Sequence, residues 1–199
     1  MKVKDSMKPL PRSFYNRDTL TVAKELLGKI LVHQTQYGDI VAKIIEVEAY
    51  KGSGDPASHA FRKKTPRNQL MFGKAGFAYI YFVYGNHHCL NVTTEKEGFA
   101  GAVLIRAVEI LDGLEIAKRN RVTKPNINLS NGPGKLTKAL GISKAQNGID
   151  LTKRNKLFIS IPMKVERFNT TIASRIGVKQ GADKLWRFYI ENNEFVSKM

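Results

Sequence analysis

The sequence predicts a mixed α/β fold: a single domain built on a largely antiparallel, curved β-sheet flanked by helices. Two observations carry this. Runs rich in β-branched and aromatic residues come at strand length and in pairs, joined by the turn signals Tyr37-Gly38-Asp39 and Gly85-Asn86. Short segments of helical spacing, two of them closed by a glycine, lie between and after them. No composition shift, internal repeat or low-complexity stretch divides the chain.

Taken in order, a helix opens at the cap candidate Asp18. Leu20, Ala23 and Leu27 recur at helical spacing, and Gly28 stops it. Lys29 to Gln34 and Ile40 to Val47 read as an antiparallel hairpin. Lys51 to Arg67, with Gly52, Gly54, Pro56 and Pro66, reads as a long loop, and loops of that length usually serve function. In Gly76 to Tyr84, Tyr79, Tyr81 and Val83 alternate with Ala78, Ile80, Phe82 and Tyr84, giving a strand with one aromatic-lined face. His88 to Thr93 is the return strand and Ala102 to Val108 another. Leu111 to Arg119 reads as a helix, Arg119 to Asn131 as a polar linker, and Leu136 to Leu140 as a short helix. Leu157 to Ile161 and Trp186 to Ile190 are late strands.

The chain has 199 residues, 33 Lys and Arg against 17 Asp and Glu, and a net charge of +16. A hydrophobic content of 42% excludes disorder as the main state despite that charge. No apolar run approaches the roughly 20 residues of a membrane span, and no apolar segment follows the basic N-terminus as a secretory signal requires. The single cysteine, Cys89, excludes an internal disulfide framework. Basic residues are spread along the whole chain, as in Arg62, Lys63, Lys64 and Arg67 or Lys118, Arg119, Arg121 and Lys124. A folded body with that field attracts polyanions, of which nucleic acid is the commonest. A solvated lysine-rich surface is the plainer alternative.

Few residues offer chemistry. His87, His88 and Cys89 are adjacent, so successive side chains point to opposite strand faces, and no second cluster completes four metal ligands. No Gly-x-Ser-x-Gly elbow is present. Gly132-Pro133-Gly134-Lys135 lacks the spacing of a phosphate loop and reads as a helix start. Glu46 and Glu48 stand two apart on a mostly apolar strand and so share a face. Buried carboxylates are costly unless paired, which leaves two readings: acid–base chemistry, or salt bridges to the abundant Lys and Arg. Tyr79, Tyr81 and Tyr84 suit stacking on bases, although Tyr and Phe on a strand more often form an aromatic core. His59, Asn91 and Arg106 say nothing singly.

Together these segments resemble a known family. Leu10-Pro11-Arg12-Ser13-Phe14-Tyr15, Ala23-Lys24-Glu25-Leu26-Leu27-Gly28-Lys29 and Ile45-Glu46-Val47-Glu48-Ala49-Tyr50 are similar to segments of the alkyladenine (3-methyladenine) DNA glycosylases. So are Ser58-His59-Ala60, Thr65-Pro66-Arg67-Asn68 with Met71-Phe72, and Tyr79 to Gly85 followed by Cys89-Leu90-Asn91. Val103 to Ala107 and Arg187-Phe188-Tyr189-Ile190 complete the set, in order, from about residue 10 onward. The unmatched residues 1–9 are expected to form a flexible arm, and 10–199 the glycosylase domain.

The resemblance implies a monofunctional enzyme that excises alkylated or deaminated purines (3-methyladenine, hypoxanthine, ethenoadenine) from duplex DNA in base excision repair. It implies that Glu48 activates a water against C1′ of a flipped nucleotide, with Arg106 beside it. Tyr50, His59 and Tyr81 match residues that sandwich the flipped base. Asn91 matches one that crowds the purine 2-position, and Tyr84 one that enters the duplex. Asn86 and His87 depart from the larger apolar or aromatic residues of the mammalian members at those positions. No metal or other cofactor is implied. The expected partner is damaged double-stranded DNA, with no membrane role, acted on by a monomer in a bacterial cytoplasm. A non-catalytic nucleic-acid-binding protein, a transferase of acyl or formyl groups, and a glycosylase that binds lesions without cutting are the competing readings.

Overall fold

Fourteen consecutive strand residues, Gly38–Lys51, organise the molecule. This strand, β2, is apolar over most of its length and buried from Ile40 to Ala42 and from Ile44 to Ala49. The computed structural model describes residues 7–83, 85–123 and 125–197. Along one edge β2 pairs first with β1 (Ile30–Thr35), then, from Glu46 to Glu48, with β8 (Arg187–Ile190). Along the other edge it pairs with β5 (Gly101–Asp112). The remaining strands are β3 (Ala78–Val83), β4 (His87–Thr93), β6 (Leu157–Ser160) and β7 (Thr170–Ala173). The order is β3-β4-β5-β2-β1-β6, with β7 outside β8, and every pairing is antiparallel.

Among the described residues four α-helices accompany the sheet: α1 (Arg12–Tyr15), α2 (Thr19–Leu26), α3 (Leu114–Asn120) and α4 (Pro133–Leu140). Asp18 caps α2 as its residue type predicts, accepting from the N–H groups of Leu20 and Thr21. Val22, Ala23 and Leu26 of α2, and Leu136, Ala139 and Leu140 of α4, join Ile45, Val47, Ile105 and Val108 in the main core. Burying one of these Val, Leu or Ile side chains stabilises the fold by about 1.5–3 kcal/mol. Among the described residues no helix is long and apolar enough to cross a membrane.

The fold class matches the sequence prediction, with local differences. β2 runs on past Val47 to Lys51 because β5 offers partners as far as Gly101. Leu111 and Asp112 belong to β5, not to the next helix, which starts only after Gly113 turns the chain at φ +80°. The polar stretch after Arg119 is docked rather than free: it contains a 3-10 turn at Asn126–Leu129, and Ser130 donates its hydroxyl to Val108 O at 2.6 Å. α1 and β7 were not anticipated. Residues 1–6 of the expected arm lie outside the described residues, while Met7 is buried and Pro9 bridges Ser160.

The pairing of β2 with β5 slips at Val41/Ala42 and again, twice in succession, around Glu46. Ile44 faces Val108, Glu46 faces Ala107 and Val47 faces Ile105, so Ile45 and Arg106 fall outside the register. Bulges re-aim side chains. This pair of them brings Arg106 over the strand face that carries Glu46 and Glu48.

Two stability predictions follow from this packing. A Cβ on Gly113 would lie 2.4 Å from the Asp39 carbonyl oxygen, whereas one on Gly148, at similar φ (+81°), meets nothing within 4 Å. Gly148→Ala is expected to cost about 1–2 kcal/mol in a denaturant melt, the left-handed penalty alone, and Gly113→Ala clearly more. His33 is buried with Nδ1 2.7 Å from Leu140 O, and loss of solvation holds its pKa below the ordinary value. The unfolded chain therefore binds the extra proton first, and stability should fall as pH drops through about 6.5. His33→Asn should flatten that part of the stability–pH curve.

Candidate active site

Period-2 geometry places Glu46, Glu48 and Tyr50 on one face of β2, and all three converge with the bulged Arg106. Arg106 Nε lies 3.2 Å from Glu46 Oε1, and its Nη1 lies 3.2 Å from Glu48 Oε2. One guanidinium thus serves two fully buried carboxylates. Besides this ion pair, Glu48 accepts two hydrogen bonds, from the Tyr50 hydroxyl to Oε2 and from the Ile176 N–H to Oε1, both at 2.7 Å. Glu46 is saturated separately. Ser197 donates its N–H at 2.8 Å and its hydroxyl at 2.9 Å, and Arg187 Nε approaches Oε1 at 2.8 Å, outside hydrogen-bond angles. The salt-bridge reading of the two carboxylates therefore holds geometrically for both, and they differ in how many of their partners reach a cavity.

That cavity, about 650 Å³, is large enough for a purine nucleoside. Tyr50, His59, Tyr81, Asn91 and Arg106 all line it. Glu48 does not, but its two hydrogen-bond donors, Tyr50 and Ile176, and its ion-pair partner Arg106 all do. The carboxylate sits one layer behind the wall.

The aromatic lining is ordered by contacts. His59 and Tyr81 meet edge to face with centroids 4.5 Å apart, and Tyr79 lies 5.2 Å from Tyr81. The Tyr79 hydroxyl is 3.0 Å from His59 Nδ1. Burial raises the hydroxyl pKa of Tyr79 to about 12 and raises those of Tyr50 and Tyr81 as well, so all three are neutral at pH 7. Burial, aided by the nearby Arg67 cation, lowers the pKa of His59 and keeps its imidazole neutral too. Asn91 is tied to its own hairpin, donating Nδ2 to Tyr79 O at 3.1 Å. Tyr84 lies outside the described residues.

Several cavity residues were not anticipated. Arg67 stands 5.4 Å over the Tyr81 ring, and Met71, Cys89 and the 176–178 segment also line the cavity. The Gly132-Pro133-Gly134 turn reaches it through Pro133, and a Cβ on Gly134 would lie 2.4 Å from the His87 ring. That glycine is needed for close packing. Beside His59 a smaller cleft is lined by Arg62, Lys63 and Thr65, so part of the exposed basic loop flanks the site.

Comparison with known proteins agrees with this geometry. The family model described as methylpurine-DNA glycosylase matches residues 13–194. A protein of Prosthecochloris aestuarii is 49% identical over 188 residues, covering 94% of this chain and 90% of its own. One of Carboxydothermus hydrogenoformans is 47% identical over 189 residues, covering 95% and 98%. One of Desulfitobacterium hafniense is 44% identical over 203 residues, covering 96% and 99%. All three are provisionally named 3-methyladenine DNA glycosylases. With a buried carboxylate set behind an aromatic cavity, and a family match over nearly all its length, the chain belongs to the methylpurine-DNA glycosylases, hydrolases of N-glycosyl bonds.

Proposed function

We propose that the chain is a monofunctional DNA glycosylase that takes a damaged purine out of duplex DNA and hydrolyses its glycosidic bond with water. The observation that carries this reading is the placement of Glu48: a fully buried carboxylate whose two hydrogen-bond donors and ion-pair partner form part of the cavity wall. A base inside the helical stack cannot be reached, so the nucleotide must be extruded at a cost of a few kcal/mol, least for a weakly paired, damaged base. The aromatic lining repays about 1–3 kcal/mol per stacking contact. A cationic alkylated purine gains more from the π faces, whereas a neutral one such as hypoxanthine needs a proton on its leaving nitrogen. Basic residues hold the DNA backbone without reading its sequence, and Tyr84, by its match to the family, fills the gap in the duplex.

In the reaction the C1′–N bond breaks as water approaches C1′, and positive charge grows on the sugar as in other glycoside hydrolysis. Glu48 takes the water's proton and stabilises that charge, while the purine leaves with the bonding pair. Arg106 orients the carboxylate. No step calls on a redox or metal cofactor.

Glu48→Gln tests the reading. It keeps the size and one acceptor of the side chain but cannot take the proton. Single-turnover cleavage of duplexes carrying one 3-methyladenine analogue, hypoxanthine or ethenoadenine should fall by roughly 10²–10⁴-fold, with lesion binding retained. Equal rates for variant and wild type would remove Glu48 as the base, and binding without cutting by both would make this a binding protein. A second prediction concerns selectivity. Asn91 is 3% exposed and fixed to Tyr79 O. Shortening it to Ser should open the space facing the purine 2-amino group and narrow the preference against guanine lesions by about tenfold or more, measured as a ratio of kcat/KM values.

A further inference from the structure

Asp55 and Arg175 form a bidentate ion pair with both side chains fully buried, Nη1 to Oδ2 at 2.8 Å and Nη2 to Oδ1 at 2.7 Å. Neither residue lines the cavity, and 120 residues separate them. Such a pair is a poor device for stability. Two charges taken out of water repay their desolvation only in excellent geometry, and apolar replacements of similar volume are often as stable or more so. What the pair does is join three segments that meet at the cavity.

The first segment is the loop after β2. Asp55 holds it by accepting from the N–H groups of Lys51 and Ala57, and His59 lies four residues on. The second is the cavity wall. The Arg175 guanidinium lies 4.7 Å over the Tyr50 ring and 5.2 Å from that of Trp186, and its Nη1 also donates to Ala49 O at 3.0 Å. The third is the segment beginning at Arg175 itself, where the next residue, Ile176, gives its N–H to Glu48. Gly181 O, at 3.3 Å from Nη2, anchors the far side.

We propose that the Asp55–Arg175 pair is a positioning clamp that sets the Tyr50 ring, the His59 loop and the Ile176 N–H together, and so ties the fit of the lesion to the orientation of Glu48. This rests on the function proposed above. Arg175 touches neither the reacting atoms nor the lesion, so it is a positioning residue. Lysine cannot replace it, because an ammonium has no planar fork for the carboxylate and no flat face for Tyr50.

The test compares wild type, Glu48→Gln, Arg175→Lys and the double variant Arg175→Met/Asp55→Leu, which removes both charges at once and so leaves neither stranded. Each is measured for thermal midpoint, lesion-duplex binding and single-turnover rate between pH 5 and 9. The clamp requires both Arg175 variants to cut about 10–100-fold more slowly, even when the double variant melts at or above the wild-type temperature. It also requires the acid limb of their rate profiles to move to higher pH, since a carboxylate that loses a backbone donor holds a proton more firmly. If the folded double variant cuts at the wild-type rate with an unmoved profile while Glu48→Gln is inactive, the clamp is wrong and the base assignment stands. If Glu48→Gln cuts as wild type does, the assignment of Glu48 falls and the clamp falls with it.

Discussion

The sharing of Arg106 between Glu46 and Glu48 is the contact on which the site depends. It needs two carboxylates on one face of a strand and an arginine displaced onto that face by a slip in the neighbouring pairing. Neither carboxylate could stay buried and charged alone, since an unpaired buried ion costs several kcal/mol. Glu46 leaves Arg106 little freedom, being held in turn by Ser197 and approached by Arg187. The two acids are therefore unequal. Apart from the shared Arg106, the partners of Glu46 lie away from the cavity, while Tyr50 and Ile176, which donate to Glu48, line it.

Three arginines and three acids are buried around this centre: Arg106, Arg175 and Arg187 against Glu46, Glu48 and Asp55. Their charges cancel, so the +16 of the chain resides elsewhere. Long-range attraction of a polyanion and the internal electrostatics of the site are thus separate. The first is screened by salt over about 10 Å, the second hardly at all. One set of charges can answer to the surroundings while the other keeps a fixed geometry.

Much of this was legible in the residues. Asp18 before an apolar helical repeat, the turn glycines and the Tyr79–Tyr81 alternation are local signals, and they fixed α2, the hairpins and the aromatic face. Glu46 and Glu48 stood out because acids are scarce and their spacing is that of a strand face. What stayed hidden is non-local. The bulge at Arg106 depends on how two distant strands count against each other. Arg175 resembles any other arginine in a basic chain until Asp55 comes to face it. β7, four residues with only alternate ones partly buried, has too short a pattern to stand out from a loop.

The origin of the site's parts along the chain bears on how the protein is made. Glu46 is separated from Ser197, which satisfies both of its oxygens, by 151 residues. Ribosomes add roughly 5–20 residues per second, so Glu46 waits on the order of ten seconds for that partner. The N–H of Ile176, which Glu48 requires, also comes late. During synthesis the central strand carries two acids that cannot be buried without cost, so it has reason to remain open until the final strands arrive. The chemistry of the centre and the timing of its closure are then one constraint.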